Sequence, residues 1–197
     1  ERVLKLLGRM AEERRYLPFL GTFHSICVRL LRKEAANIGL SPSFIIFDDA
    51  DSLGAVKRSL RSLHIDEKKF APRLIKELIS SAKNELIGPD QYARLASGAA
   101  GEVAARVYPV YQKLLKEANA LDFDDLIFET VKMFRTHKDI LERWQQQFSY
   151  ILIDEYQDTN QAQYQITKLL ASAHHNICVV GDDWQSIYSW RGADFQN

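Results

Sequence analysis

The sequence predicts an α/β fold with a parallel sheet and an all-helical insertion, and three observations carry that prediction. Short, continuous apolar runs occur towards both ends of the chain and have the character of strands covered on both faces. The long stretch between them has a helical apolar period instead. Two of the later runs stop at acidic residues, the position at which open parallel sheets present ligand-binding groups.

The runs are Tyr16 to Leu20, interrupted by Pro18, then Phe44 to Phe47, Tyr150 to Ile153 and Ile177 to Val180. The first helix follows from Phe23, Ile26, Cys27, Leu30 and Leu31, which share one face. Asp48 or Asp49 suits the cap of a helix running towards Leu63. Leu74, Ile75, Leu78 and Ile79 fall in register within a helix over about 71–86. Val103, Val107, Val110, Tyr111, Leu114 and Leu115 make another apolar face, and 122–134 and 137–146 complete the helices. Strands near the ends and helices through about 40–120 describe an excursion out of an α/β core.

The chain has 197 residues, 46% hydrophobic and 26% charged, enough to bury a core and unlike a disordered or collagen-like composition. Basic and acidic residues number 26 each. That zero balance at first argues against a nucleic-acid binder, but it is an average. Residues 57–83 carry eight Lys and Arg against three acids, whereas 121–160 carry four against nine. The two cysteines, Cys27 and Cys178, lie far apart without metal-ligand spacing, so a disulfide framework or zinc site is not expected and a reducing, cytosolic setting fits. No apolar run approaches the roughly 18 residues of a membrane helix. The first residues already follow a helical pattern and include no initiator Met, which points to a piece of a longer chain.

Four segments have chemical potential. Ile151-Leu152-Ile153-Asp154-Glu155-Tyr156-Gln157-Asp158 runs a strand into two acids. There Asp154 suits Mg²⁺ coordination and Glu155 suits activation of a water for attack on a phosphate; the same residues would also serve to begin a solvated loop or cap a helix. Val179-Val180-Gly181-Asp182-Asp183-Trp184-Gln185 ends the same way, and Gln185 offers an amide to a terminal phosphate. Tyr188, Trp190 and Arg191 follow as a base-stacking platform or, equally, as core aromatics. Gly21-Thr22-Phe23-His24-Ser25 opens a helix whose N–H groups could hold a phosphate or simply be capped. Leu121-Asp122-Phe123-Asp124-Asp125-Leu126 reads as a helix start with acids in its first turn, and not as a metal site.

In order and wording these segments resemble the UvrD/Rep/PcrA-type superfamily-one DNA helicases over essentially the whole chain. Gly21 to Ser25 resembles that family's early DNA-contact motif, and Ala120 to Leu126 the segment ahead of its Walker-B strand. Ile153 to Asn160 resembles its DExx box, and Gly181 to Asp194 its motif three. The resemblance implies a partial P-loop NTPase, RecA-like core at 1–39 and 120–197 with a helical insertion at 40–119 that lies against duplex DNA. It implies ATP and Mg²⁺, with Asp154 as the metal acid, Glu155 as the catalytic base and Gln185 sensing the γ-phosphate. Tyr188 and Trp190 would stack on single-strand bases, Arg191 would contact DNA or link the two sites, and Thr22, Phe23 and His24 would lie along the same track. Charge alone suggests Lys68, Lys69 and Arg73 as duplex-phosphate contacts or as a solvated face. The implied partners are single-stranded and junction DNA and the remaining motor domains, in a cytoplasmic, nucleoid-associated location with 3′-to-5′ movement.

Trp184 and Ser189 depart from the family's usual residues at those places. None of the nine glycines precedes a lysine, so the phosphate-binding P-loop is not in this sequence. The expectation is part of an ATP-dependent helicase, inactive on its own. The competing expectations are a non-catalytic DNA-binding module and a Mg²⁺-dependent nuclease using Asp154, Glu155, Asp158, Asp182 and Asp183.

Overall fold

A computed structural model describes residues 19–182 and Trp184. The run from Tyr16 therefore lies mostly outside the described residues, and its last two, Phe19 and Leu20, are not in a strand.

Helix α1 (Phe23–Glu34) is capped by Thr22, whose Oγ1 accepts from the Ser25 amide, and it buries Cys27, Leu30 and Leu31 on the face expected from their spacing. A 3₁₀ turn (Ala35–Ile38) closes on Gly39, whose left-handed φ of 69° favours a residue without Cβ. Strand β1 (Ile45–Phe47) leads into α2 (Asp49–Ser62), where Asp48 and Asp51 form a reciprocal capping box. Then come α3 (Pro72–Asn84), started by proline at its first position, a short α4 (Pro89–Leu95) that the periodicity does not reveal, and the long α5 (Gly98–Glu117). Strand β2 (Ala120–Asp122) precedes α6 (Phe123–Thr136), capped by Asp122 with Asp125. After α7 (Lys138–Gln147) and β3 (Ile151–Ile153), a 3₁₀ turn (Tyr156–Asp158) leads to α8 (Gln161–Ala171) and β4 (Ile177–Val179). Helix α8 was not expected, although the Asn160–Gln163 capping box is its signal.

Both strand pairs are parallel. β1 lies on β2 in the register Ile45 to Ala120, and β3 lies on β4 in the register Ile151 to Ile177. The parallel sense agrees with the sequence. The arrangement does not: the described residues form two separate two-stranded sheets in a mostly helical domain, not one core sheet covered on both faces. In β3, Ile153 is buried, but its neighbour Leu152 is 78% exposed and Val180, just past β4, is 60% exposed. The apolar character of β3 is thus satisfied on one face only, and that of β4, exposed along its whole length, on neither. β2 was read as part of a helix start because three residues are too few to display a period.

Two apolar clusters hold the domain. One joins α1, α6, α7 and α8 through Leu30, Leu31, Leu126, Phe134, Trp144 and Ile166. The other joins α2, α3 and α5 through Val56, Leu60, Ile75, Ile79, Val107 and Tyr111. Each fully buried aliphatic side chain contributes about 1.5–3 kcal/mol. Because β1 and β2 pair, the chain leaves for the second cluster and returns from it at the same place.

Candidate active site

The two acidic strand ends lie side by side. The Val180 amide donates to the Ile153 carbonyl at 2.8 Å, and the Tyr156 amide donates to the Val180 carbonyl at 2.9 Å, which extends the β3–β4 ladder beyond Asp154 and Glu155. Both acids are exposed. Glu155 sits in the left-handed region at φ 53°, a costly conformation for a long side chain and one found where the surroundings over-determine the backbone. The Asp154 Oδ1 accepts from the Glu155 amide at 3.0 Å.

Gln157, which the sequence reasoning quoted but gave no role, bridges the two ends. It is buried; its Nε2 donates to Glu155 Oε2 at 2.7 Å and its Oε1 accepts from the Asp182 amide at 3.0 Å. Nothing local marks Gln157 for this work, because Asp182 is 25 residues further on. Gly181 makes the approach possible: a Cβ there would lie 2.8 Å from Gln157 Oε1 and 3.3 Å from its backbone nitrogen. The exposed Asp154 carboxylate fits a cation such as Mg²⁺, which takes one or two carboxylates together with waters and phosphate oxygens. Among the described residues no group of three or more His, Cys, Asp and Glu side chains gathers to hold a metal, and Asp183 of the nuclease alternative lies outside them.

The early motif and the Leu121–Leu126 segment come together. Thr22 and Ser25 are used in the α1 cap, with the Ser25 hydroxyl donating to the Thr22 carbonyl at 2.9 Å. Phe23 is half-buried against the first cluster. The His24 ring meets the edge of Phe123 at 5.6 Å, and Phe123 remains 53% exposed. Phe123 is therefore a candidate contact that sequence reasoning missed. Its signal was an aromatic at the first position of a helix, where an apolar core residue is not needed.

The acids around Phe123 are structural. Lys83 is fully buried, with Nζ 2.6 Å from Asp122 Oδ2 and 2.7 Å from Asp125 Oδ1, and the Tyr111 hydroxyl donates to Asp122 Oδ2 at 2.7 Å. Burial opposes the Lys83 charge, but the two carboxylates outweigh it and hold its pKa above the ordinary lysine value. Burial also opposes the Asp122 charge, and Lys83 with Tyr111 overcomes it, holding Asp122 below the usual range. Asp125 is pushed up to about 7 by burial and by the neighbouring Asp122 charge. Below about pH 7, where Asp125 holds its proton, one ammonium and one carboxylate leave the buried group without net charge, the cheapest state in a medium of low polarity. Lys83, counted with the basic middle in the sequence, is thus not available to a partner. Cys27 is likewise withdrawn: burial raises its thiol to about 12.

Lys68, Lys69 and Arg73 are exposed, while Lys76 pairs with Asp49 and Arg61 pairs with Glu67. Trp184 is 98% exposed and its amide donates to Asp182 Oδ1. Gln185, Tyr188, Trp190 and Arg191 lie outside the described residues, as do Asp183 and Ser189. Among the described residues no helix is long and apolar enough to cross a membrane.

The site thus sits in a mostly helical domain with small parallel sheets, whose adjacent strand ends carry exposed acids. The chain belongs to the UvrD/REP helicase N-terminal domain family, which matches it over residues 1–197. Among its relatives, the ATP-dependent DNA helicase PcrA of Bacillus subtilis (strain 168) is 48% identical over 197 residues. PcrA of Staphylococcus aureus (strain Mu50) is 48% identical over 197 residues, and PcrA of Staphylococcus epidermidis is 46% identical over 196. In each case the whole of this chain aligns with 26% of the relative's length. The family resemblance read from the four segments is borne out.

Proposed function

We propose that this chain is the part of an ATP-dependent DNA helicase that carries the water-activating side of its ATP site and a stretch of its single-strand track. The observation that supports this most is the Gln157 bridge, which fixes exposed Glu155 against the end of the neighbouring strand. In this reading the RecA-like core occupies 1–39 and 120–197, and the helical insertion occupies 40–119. The exposed face with Leu152, Cys178 and Val180, and the opposite one with Val179, are the places where the rest of the core packs.

Glu155 takes a proton from the attacking water, held in orientation by Gln157. Asp154 holds Mg²⁺, which when bound supplies charge neutralisation to the phosphate oxygens. Gln185 reads the γ-phosphate, and Tyr188, Trp190 and Arg191 pass its state to DNA. Thr22, Phe23 and His24 line the single-strand track, and the exposed Phe123 face beside His24 offers a further stacking surface. The partners are single-stranded and junction DNA, with movement from 3′ to 5′. The test is ATP hydrolysis and unwinding of a 3′-tailed duplex by the full-length protein: single-stranded DNA should stimulate hydrolysis, and absence of both activities refutes the proposal. Without a Gly-Lys phosphate loop, the 197-residue chain alone should release no phosphate from ATP; DNA-stimulated release would contradict that. Replacing Phe123→Ala should weaken single-strand binding in fluorescence anisotropy by about 1–3 kcal/mol; unchanged affinity removes Phe123 from the track.

A further inference from the structure

The loop that carries Asp154 and Glu155 is anchored at its far end by a residue outside all four chemical segments. Asn84 is the last residue of α3 and is half-buried. Its Nδ2 donates to the Ser80 carbonyl at 2.9 Å and to Asp124 Oδ1 at 3.2 Å, and its Oδ1 accepts from Asn160 Nδ2 at 2.6 Å. Asn160 ends the Asp154–Asn160 loop and caps α8, its Oδ1 accepting from the Gln163 amide at 3.0 Å.

Every donor and acceptor in this chain is determined. Asn160 uses its oxygen for the cap, so its amino group must face Asn84. Asn84 therefore presents its oxygen to Asn160 and its amino group to the Asp124 carboxylate. Immediately before Asn84, Lys83 is buried between Asp122 and Asp125. Two consecutive residues of α3 thus grip the first turn of α6 and the cap of α8. Helix α3 itself belongs to the second apolar cluster. The loop is held by the β3–β4 ladder and Gln157 at its front, and by Asn84 at its back.

We propose that Asn84 is a positioning residue for the Glu155 loop, tying its trailing end to the helical cluster so that Glu155 keeps its place when that cluster is loaded. The proposal rests on the reading of Glu155 as the catalytic base. Asn84→Asp combined with Asp124→Asn again matches donor to acceptor between those two side chains and keeps the acceptor for Asn160, although the Ser80 carbonyl loses its donor, so the exchange should restore the interaction in part. Asn84→Asp alone sets two carboxylates against each other, and Asn160→Ser keeps an α8 cap while removing the donor.

The experiment compares these variants and Asn84→Ala in the full-length protein, by hydrogen exchange and by ATP turnover. Asn84→Ala and Asn160→Ser should speed amide exchange over 154–164 by about fivefold, the equivalent of one lost hydrogen bond, and leave 23–34 unchanged. The same variants should lower kcat for ATP by about 10- to 100-fold with KM little changed. The paired exchange should recover part of both relative to Asn84→Asp alone. Unchanged exchange over 154–164, equal acceleration over 23–34, or a paired exchange no better than Asn84→Asp alone would overturn the proposal. If the parent protein hydrolyses no ATP, the functional reading fails while the exchange result still decides whether Asn84 holds the loop.

Discussion

The segments Leu121 to Asp125 and Ile151 to Glu155 look alike in the sequence, since each runs from apolar residues into adjacent acids, yet the fold treats them in opposite ways. Asp122 and Asp125 are buried around the Lys83 ammonium and cap a helix. Asp154 and Glu155 stand exposed at a strand end, and Glu155 is held in a left-handed backbone by its surroundings. A cation delivered from α3 makes the first group part of the architecture. The second group has its strained backbone and the buried amide of Gln157, which orient a carboxylate without neutralising it. An acid cluster is therefore read by what faces it, and that partner is generally distant in sequence.

The contrast can be broken first at Lys83. Replacing Lys83→Met leaves the Asp122 carboxylate buried without its cation and should cost about 3–5 kcal/mol in denaturant unfolding; a loss below about 1 kcal/mol would mean that the buried acids do not need it. A smaller effect is expected from pH. Asp125 holds its proton up to about 7 in the folded protein, against roughly 3.9 when unfolded. A raised folded pKa stabilises fully below the unfolded value, and that contribution is lost as pH rises through about 7. Asp122, shifted downwards, acts in the opposite sense and loses its contribution as pH falls. The stability of Asp125→Asn relative to the parent should accordingly improve from pH 4 to pH 7 in chemical denaturation, since the variant lacks the loss; a pH-independent difference contradicts the assignment. At the exposed site, Gly181→Ala forces a Cβ against Gln157 and should cost about 1–3 kcal/mol by thermal unfolding. No cost would show that the Gln157 bridge yields freely.

Much of this was legible beforehand, and for identifiable reasons. Helix caps at Thr22, Asp48 and Asp122 announced themselves through local spacing, and the parallel sense of the strands followed from their continuous apolar runs. The long strings around Glu155 and Gln185 identified the family because so many of their positions are specified together. Lys83 was counted only as one charge of the basic middle, although it stands in register with Ile75 and Ile79 on the buried face of α3. That register was the available clue, and its partners are 39 and 42 residues away. Gln157, Asn84 and Asn160 carried no such clue, since an amide's role depends on donors and acceptors that only the fold assembles. The exposed β3 and β4 faces were expected to be covered because apolarity does not say which neighbour supplies the cover.

The central claim is that the buried acids hold the structure and the exposed pair performs chemistry. The most direct test is Glu155→Gln in the full-length protein, followed for both unfolding and DNA-stimulated ATP hydrolysis. The account predicts a change in stability within about 0.5 kcal/mol and a fall in hydrolysis of about 10²- to 10⁴-fold. Hydrolysis at the parent rate, with the substitution confirmed and the protein folded, would contradict it.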